Sequence, residues 1–131
     1  MEIKLTPQES EEYFYNAMCN GLGYFQGYGG EVDANQKDYE AAKESLKAKK
    51  PNNLICYEDV FMEALRMGKK LTFTDIEGEG EYTRSISLED VHNRVQKTPL
   101  RHLQDMIDEN DDATTADVIL QTVFFEDIIF G

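Results

Sequence analysis

Leu71-Thr72-Phe73-Thr74-Asp75-Ile76-Glu77-Gly78-Glu79-Gly80-Glu81-Tyr82-Thr83-Arg84-Ser85-Ile86-Ser87 is the one stretch whose side chains alternate. Leu71, Phe73 and Asp75 share one face and Thr72, Thr74 and Ile76 the other; Tyr82, Arg84 and Ile86 alternate after a turn at Glu77-Gly78-Glu79-Gly80. A β-hairpin near residues 70–87 follows. A two-stranded hairpin is marginal alone and must lay its apolar face on helices, which makes the expected class α+β with helices dominating.

Outward from the hairpin the period is helical. Thr6-Pro7-Gln8-Glu9 carries an N-cap, a proline at the first helical position and a capping-box glutamate. That helix is expected to bury Phe14, Ala17, Met18 and Leu22 and to end in Gly21-Leu22-Gly23, followed by a loop from Tyr24 to Gly30. Asn35 opens a second, surface helix reaching about Lys49, with Tyr39, Ala42 and Leu46 inward, until Pro51-Asn52-Asn53 breaks it. A third spans Tyr57 to Met67 and stops at Gly68. Ser87 with Asp90 caps a fourth, Thr98-Pro99 stops it and starts a fifth, and residues 114–127 form a sixth, apolar nearly all round and expected at the centre. About six helices and one hairpin make one domain over residues 1–131, because two units would leave each half too small for a good core.

Hydrophobic residues at 40% exclude a disordered chain, and no apolar run nears the roughly 18 residues a spanning helix needs. The N-terminal Met1-Glu2-Ile3-Lys4-Leu5 lacks the basic and apolar regions of a secretory signal, so a cytoplasmic protein is expected. The net charge of −13 disfavours direct nucleic-acid binding and anionic membranes and favours a basic protein surface as partner. The acid is unevenly placed: residues 1–70 hold 12 acidic and 9 basic residues, residues 71–131 hold 14 and 4. Glu89, Asp90, Asp105, Asp108, Glu109, Asp111, Asp112 and Asp117 are therefore the candidate partner-binding residues, expected on the solvent side because apolar neighbours claim the inward positions. The same surplus also serves solubility.

Tyr24, Phe25, Tyr28, Gly29 and Gly30 form a second candidate, an aromatic, glycine-rich loop for a ligand or interface. It follows a helix, offers neither the Walker lysine pattern nor G-x-G-x-x-G, and so is not a phosphate cradle. Asp108, Asn110 and Asp112 imitate the start of a calcium loop, but Ala113 and Ile119 stand where glycine and glutamate are required. Cys19, Cys56, His92 and His102 match a zinc ligand count without the close pairing zinc modules use; burial of both thiols is expected, and no metal or cofactor. No residue set recommends itself as catalytic.

Tyr57-Glu58-Asp59-Val60, Asp75 to Thr83, Leu88-Glu89-Asp90-Val91-His92 and Asp117 to Phe125 resemble short uncharacterised proteins of gut bacteria and their phages or mobile elements, over roughly residues 55–131. The resemblance implies no activity and no site residues; it raises an interaction or counter-defence role over housekeeping metabolism. Three functions follow as expectations. They are an acidic protein–protein interaction module, a small-ligand binder or enzyme using residues 21–30, and a structural or assembly subunit whose oligomeric state the sequence leaves open.

Overall fold

A computed structural model describes residues 3–51 and 54–131. Residues 1 and 2, part of the N-terminal reading, and Asn52 and Asn53, part of the helix-breaking reading, lie outside the described residues. The described chain runs α1 (Pro7–Gln26), β1 (Gly30–Ala34), α2 (Gln36–Lys47), α3 (Tyr57–Arg66), β2 (Leu71–Asp75), β3 (Arg84–Ile86), α4 (Leu88–Arg94), a 3-10 turn, α5 (Leu100–Ile107) and α6 (Ala113–Phe125). It is mainly helical with one small antiparallel sheet, as the alternation and capping signals require.

The caps fall where the side chains dictate. Thr6 Oγ1 accepts from Glu9 N at 3.1 Å while Glu9 Oε1 accepts from Thr6 N at 2.9 Å. Ser87 and Asp90 repeat the exchange at 3.3 and 2.9 Å, and Asp112 Oδ1 accepts from Thr115 N at 2.9 Å.

α1 is longer than its glycines suggest. Gly21 does not terminate the helix; it lets α6 approach, since a Cβ there would stand 2.5 Å from that of Ala116. The residue is spent on packing, and α1 continues through Tyr24 and Phe25 to Gln26. The expected loop is thus largely helix.

The chain then turns at Gly29, whose φ of 109° suits only glycine, into β1, which the sequence reading omitted. The sheet order is β1-β2-β3, with Val32 opposite Phe73, Ala34 opposite Leu71, and Leu71 opposite Ile86. One face carries these apolar residues; the other carries groups such as Thr72 and Ser85, whose hydroxyls lie 2.7 Å apart. On the outer side of β1, Gln26 Oε1 accepts from Val32 N at 2.9 Å and Asp33 Oδ1 accepts from Ala34 N at 2.8 Å.

The hairpin connection is wider than a four-residue turn. The buried Asp75 carboxylate accepts from Gly78 N at 2.8 Å and Tyr82 N at 3.0 Å, and Thr83 Oγ1 accepts from Asp75 N at 3.0 Å, so β3 begins only at Arg84. Tyr82 belongs to the turn and packs on Phe125 and Phe130.

The main core forms where the sheet face meets α1 and α6. Phe73 lies with its ring centroid 4.9 Å from Phe25 and 5.5 Å from Phe125. α6 is buried over nearly its whole length, the central position its apolar circumference predicts. Gln121 at its middle fastens the chain end: its Oε1 accepts from Ile129 N and Phe130 N at 2.9 Å each. A smaller cluster of Ala42, Leu46, Val60 and Ala64 joins α2 to α3.

Candidate functional site

The acidic candidates do not all occupy one surface. Asp105, Asp108, Glu109, Asp111 and Asp112 gather on the last turn of α5 and the turn into α6, whereas Glu89 and Asp90 stand in the first turn of α4. Asp117 is a correction to the sequence reading, which placed it outward. It is 5% exposed within α6, where its Oδ2 accepts from Tyr28 Oη at 2.8 Å and Gln121 Nε2 at 3.0 Å. Burial raises its carboxyl above the usual range against the opposing effect of those two donors. α6 is buried nearly all round, so no outward position was available.

The α5–α6 turn has a placement that folding stability does not favour. A helix C-terminus carries partial negative charge, yet the last turn of α5 contains no basic residue and is followed by Asp108 and Glu109. Glu109 has φ 60°, a left-handed conformation that favours glycine. The other described non-glycine residues with positive φ are Glu79 and Glu126, so all three left-handed positions are glutamates in the acidic half. Among the described residues no lysine or arginine pairs with Asp105, Asp108, Glu109, Asp111 or Asp112. Their partners are neutral: Gln104 for Asp108, Asn20 for Asp111, and the α6 backbone for Asp112.

The aromatic segment is divided. Phe25 is wholly buried, Tyr28 stacks on Phe130 at 4.7 Å, and only Tyr24 of the three is exposed, edge-on to Tyr28 at 5.8 Å. Gly30 lies in β1 against Phe73, and Gly29 packs on Glu77. Phe25, Tyr28, Gly29 and Gly30 thus build the core and the strand entry, and Tyr24 is left at the surface.

Both thiols are exposed, contrary to the expected burial. Cys19 follows the inward pair Ala17 and Met18 on the outer side of α1, and Cys56 sits at the N-cap of α3. Tyr15 stands between them: its hydroxyl donates to Asp59 Oδ1 at 2.8 Å and lies 3.8 Å from Cys56 Sγ. Partial desolvation raises both thiols above their usual value. His92 is elsewhere, 2.9 Å from Glu11 Oε2. Among the described residues no group of three or more histidines, cysteines and carboxylates is placed to hold a metal ion.

What the sequence reading missed is a cleft of about 410 Å³ between the end of α1, β1 and the first turns of α2 and α3. Asp33, Tyr39, Tyr57 and Phe61 line it. The available signal was the Tyr57–Phe61 spacing of four, which stacks two rings on one helix face. The other walls come from residues distant in sequence.

Comparison with protein-family models, curated proteins and solved structures finds no match. No helix among the described residues is long and apolar enough to cross a membrane.

Proposed function

We propose that this protein is an acidic interaction module that docks on a basic surface of a partner protein, such as one that otherwise holds nucleic acid. The carrying observation is the α5–α6 turn, where Asp108 and Glu109 follow a helix C-terminus whose dipole disfavours acid, Glu109 adopts a left-handed backbone that disfavours a side chain, and no cation among the described residues neutralises either. Acid retained against local stability is well explained by a use for the charge itself. A field of one sign accelerates encounter with a basic protein and weakens as salt shortens the screening length from about 10 Å at 0.1 M to about 3 Å at 1 M. An origin among the short phage or mobile-element proteins that residues 55–131 resemble would suit such a role, because a cytoplasmic charge mimic serves counter-defence without catalysis.

The test is affinity capture from a native lysate with elution in rising salt, beside a variant with Asp108→Asn, Glu109→Gln, Asp111→Asn and Asp112→Asn. A basic partner released at moderate salt and lost by the variant is the expected result. Unchanged binding and salt dependence would remove the acidic docking reading.

A further inference from the structure

The cleft between α1, β1, α2 and α3 lies outside the acidic turn and is independent of it. Its volume of about 410 Å³ falls in the range of small-molecule sites. Phe61 forms a deep wall at 4% exposure. Tyr39 and Tyr57 stand against it with centroids 6.0 and 5.8 Å away and ring planes inclined at 76° and 70°. Three aromatic rings therefore bound one space from different directions, with Tyr57 47% exposed at the mouth.

The charges around these rings are of one sign. Asp33 lines the cleft, and Glu58, only 8% exposed, lies close enough to bear on Tyr39 and Tyr57. Burial, then the charges of Asp33 and Glu40 and more weakly that of Glu58, pushes the Tyr39 hydroxyl up; burial and Glu58 do the same at Tyr57. Neither carboxylate has a cationic partner among the described residues, and no lysine, arginine or histidine lines the cleft.

Two helix N-termini open nearby, a feature that ordinarily favours anions. Here both are answered within the chain. Asn35 Oδ1 accepts from Lys37 N at 2.9 Å in α2, and in α3 the Asp59 carboxylate sits in the first turn and accepts from Cys56 N at 3.3 Å. Each helix end offers about half a positive charge against the full negative charges of Asp33 and Glu58. The balance is cationic in preference.

The geometry points to a binding site for an alkylated ammonium group, held against Tyr39, Tyr57 and Phe61 through cation–π attraction and neutralised by Asp33, the charged side chain in the lining. Aromatic walls suit this ligand because a methylated nitrogen is too weakly hydrated to need hydrogen-bond donors or acceptors, yet its charge is attracted to ring faces. Gln26 and Gln36, also in the lining, offer polar contacts to the remainder of the molecule. The same group occurs in a free quaternary amine and in a trimethylated lysine side chain, and the site recognises what the two share.

The test follows the aromatic resonances of Tyr39, Tyr57 and Phe61 by NMR at constant ionic strength. Choline, tetramethylammonium, a trimethyllysine peptide and the uncharged isostere 3,3-dimethylbutan-1-ol are each titrated. Saturable shifts confined to these rings are expected, with choline at least about tenfold tighter than the uncharged alcohol, as one or two cation–π contacts provide. Tyr57→Leu should abolish binding and Asp33→Asn weaken it several-fold, with the spectrum otherwise preserved. The four amide substitutions of the acidic turn should leave it unchanged, which separates this site from the docking reading. Tighter binding of the peptide than of choline identifies a protein-borne group as the source, and the reverse identifies a free amine; either upholds the site. Equal binding of the alcohol and choline, or no saturable shift with any of the three cations, overturns it.

Discussion

The two halves of this chain treat their carboxylates differently. Among the described residues, Glu11, Asp38, Glu44, Asp59 and Glu63 of the first half each lie within 4 Å of a lysine or arginine, whereas in the second only Asp90 and Glu126 do, and both share Arg94. In the first half a carboxylate joins elements: Glu63 of α3, 4% exposed, accepts from Ser45 at 2.6 Å and Lys49 at 3.0 Å. The Ser45 hydroxyl, ahead of the opposing burial and with the help of Lys49, lowers its pKa. In the second half most acids have no cationic partner, and those that join separate elements, such as Asp111 with Asn20 and Asp117 with Tyr28, do so through neutral donors. Net charge hides this division between acids that hold structure and acids that remain available.

The largest effect that would test the division is expected at Asp59. Its carboxylate accepts from Lys50 and Tyr15 at 2.8 Å each and from Cys56 N at 3.3 Å, joining α1, α3 and the chain before α3. Asp59→Ala should cost about 2 kcal/mol in urea unfolding, since a first-turn cap and two side-chain partners are lost together. Burial raises this group, but Lys50, Tyr15 and the Cys56 N–H outweigh it and bring the pKa from 3.8 down to about 2. The folded value is depressed, so the stabilisation is present above the unfolded value and disappears as pH falls from about 4 through about 2. Asp59→Asn should flatten the wild-type stability profile in that window.

A smaller change, of opposite sign, is expected in the acidic half. Glu109→Gly should raise stability by roughly 1 kcal/mol, because glycine relieves the left-handed backbone and a charge leaves the C-terminal end of α5. Urea unfolding that showed a loss would mean Glu109 is structural, and the contrast between the halves would weaken. Smallest of all should be the combined Asp108, Glu109, Asp111 and Asp112 amides, which keep every cap and leave the thermal midpoint near wild type. A marked fall in that midpoint would show these acids to be part of the fold.

Much of the fold was legible because its signals are local. Thr6 with Glu9, and Ser87 with Asp90, mark helix starts through atoms three residues apart, and the alternation from Leu71 to Asp75 needs no distant partner. β1 was not legible: five residues with Val32 as their only β-branched member become a strand because β2, some forty residues later, pairs with them. Gly21 misled because a terminating glycine and a close-packing glycine look alike until Ala116 is in place. Cys19 and Asp117 show the same limit, as each position was judged from neighbours on its own helix while the facing elements decide exposure. The aromatic cleft was hidden most completely, its walls coming from four separate elements.

The small contacts along the outer side of β1 bear on how the molecule behaves when crowded. A strand at the margin of a sheet is a template for growth, since its free amides invite another chain to add on. Here the amides of Val32 and Ala34 are already satisfied, one by Gln26 reaching back from α1 and one by the carboxylate of Asp33. An arriving strand would have to displace both and bring its backbone beside a fixed negative charge. Concentrated solutions should therefore resist fibril formation through this margin, and Gln26→Ala is the single change expected to reopen it.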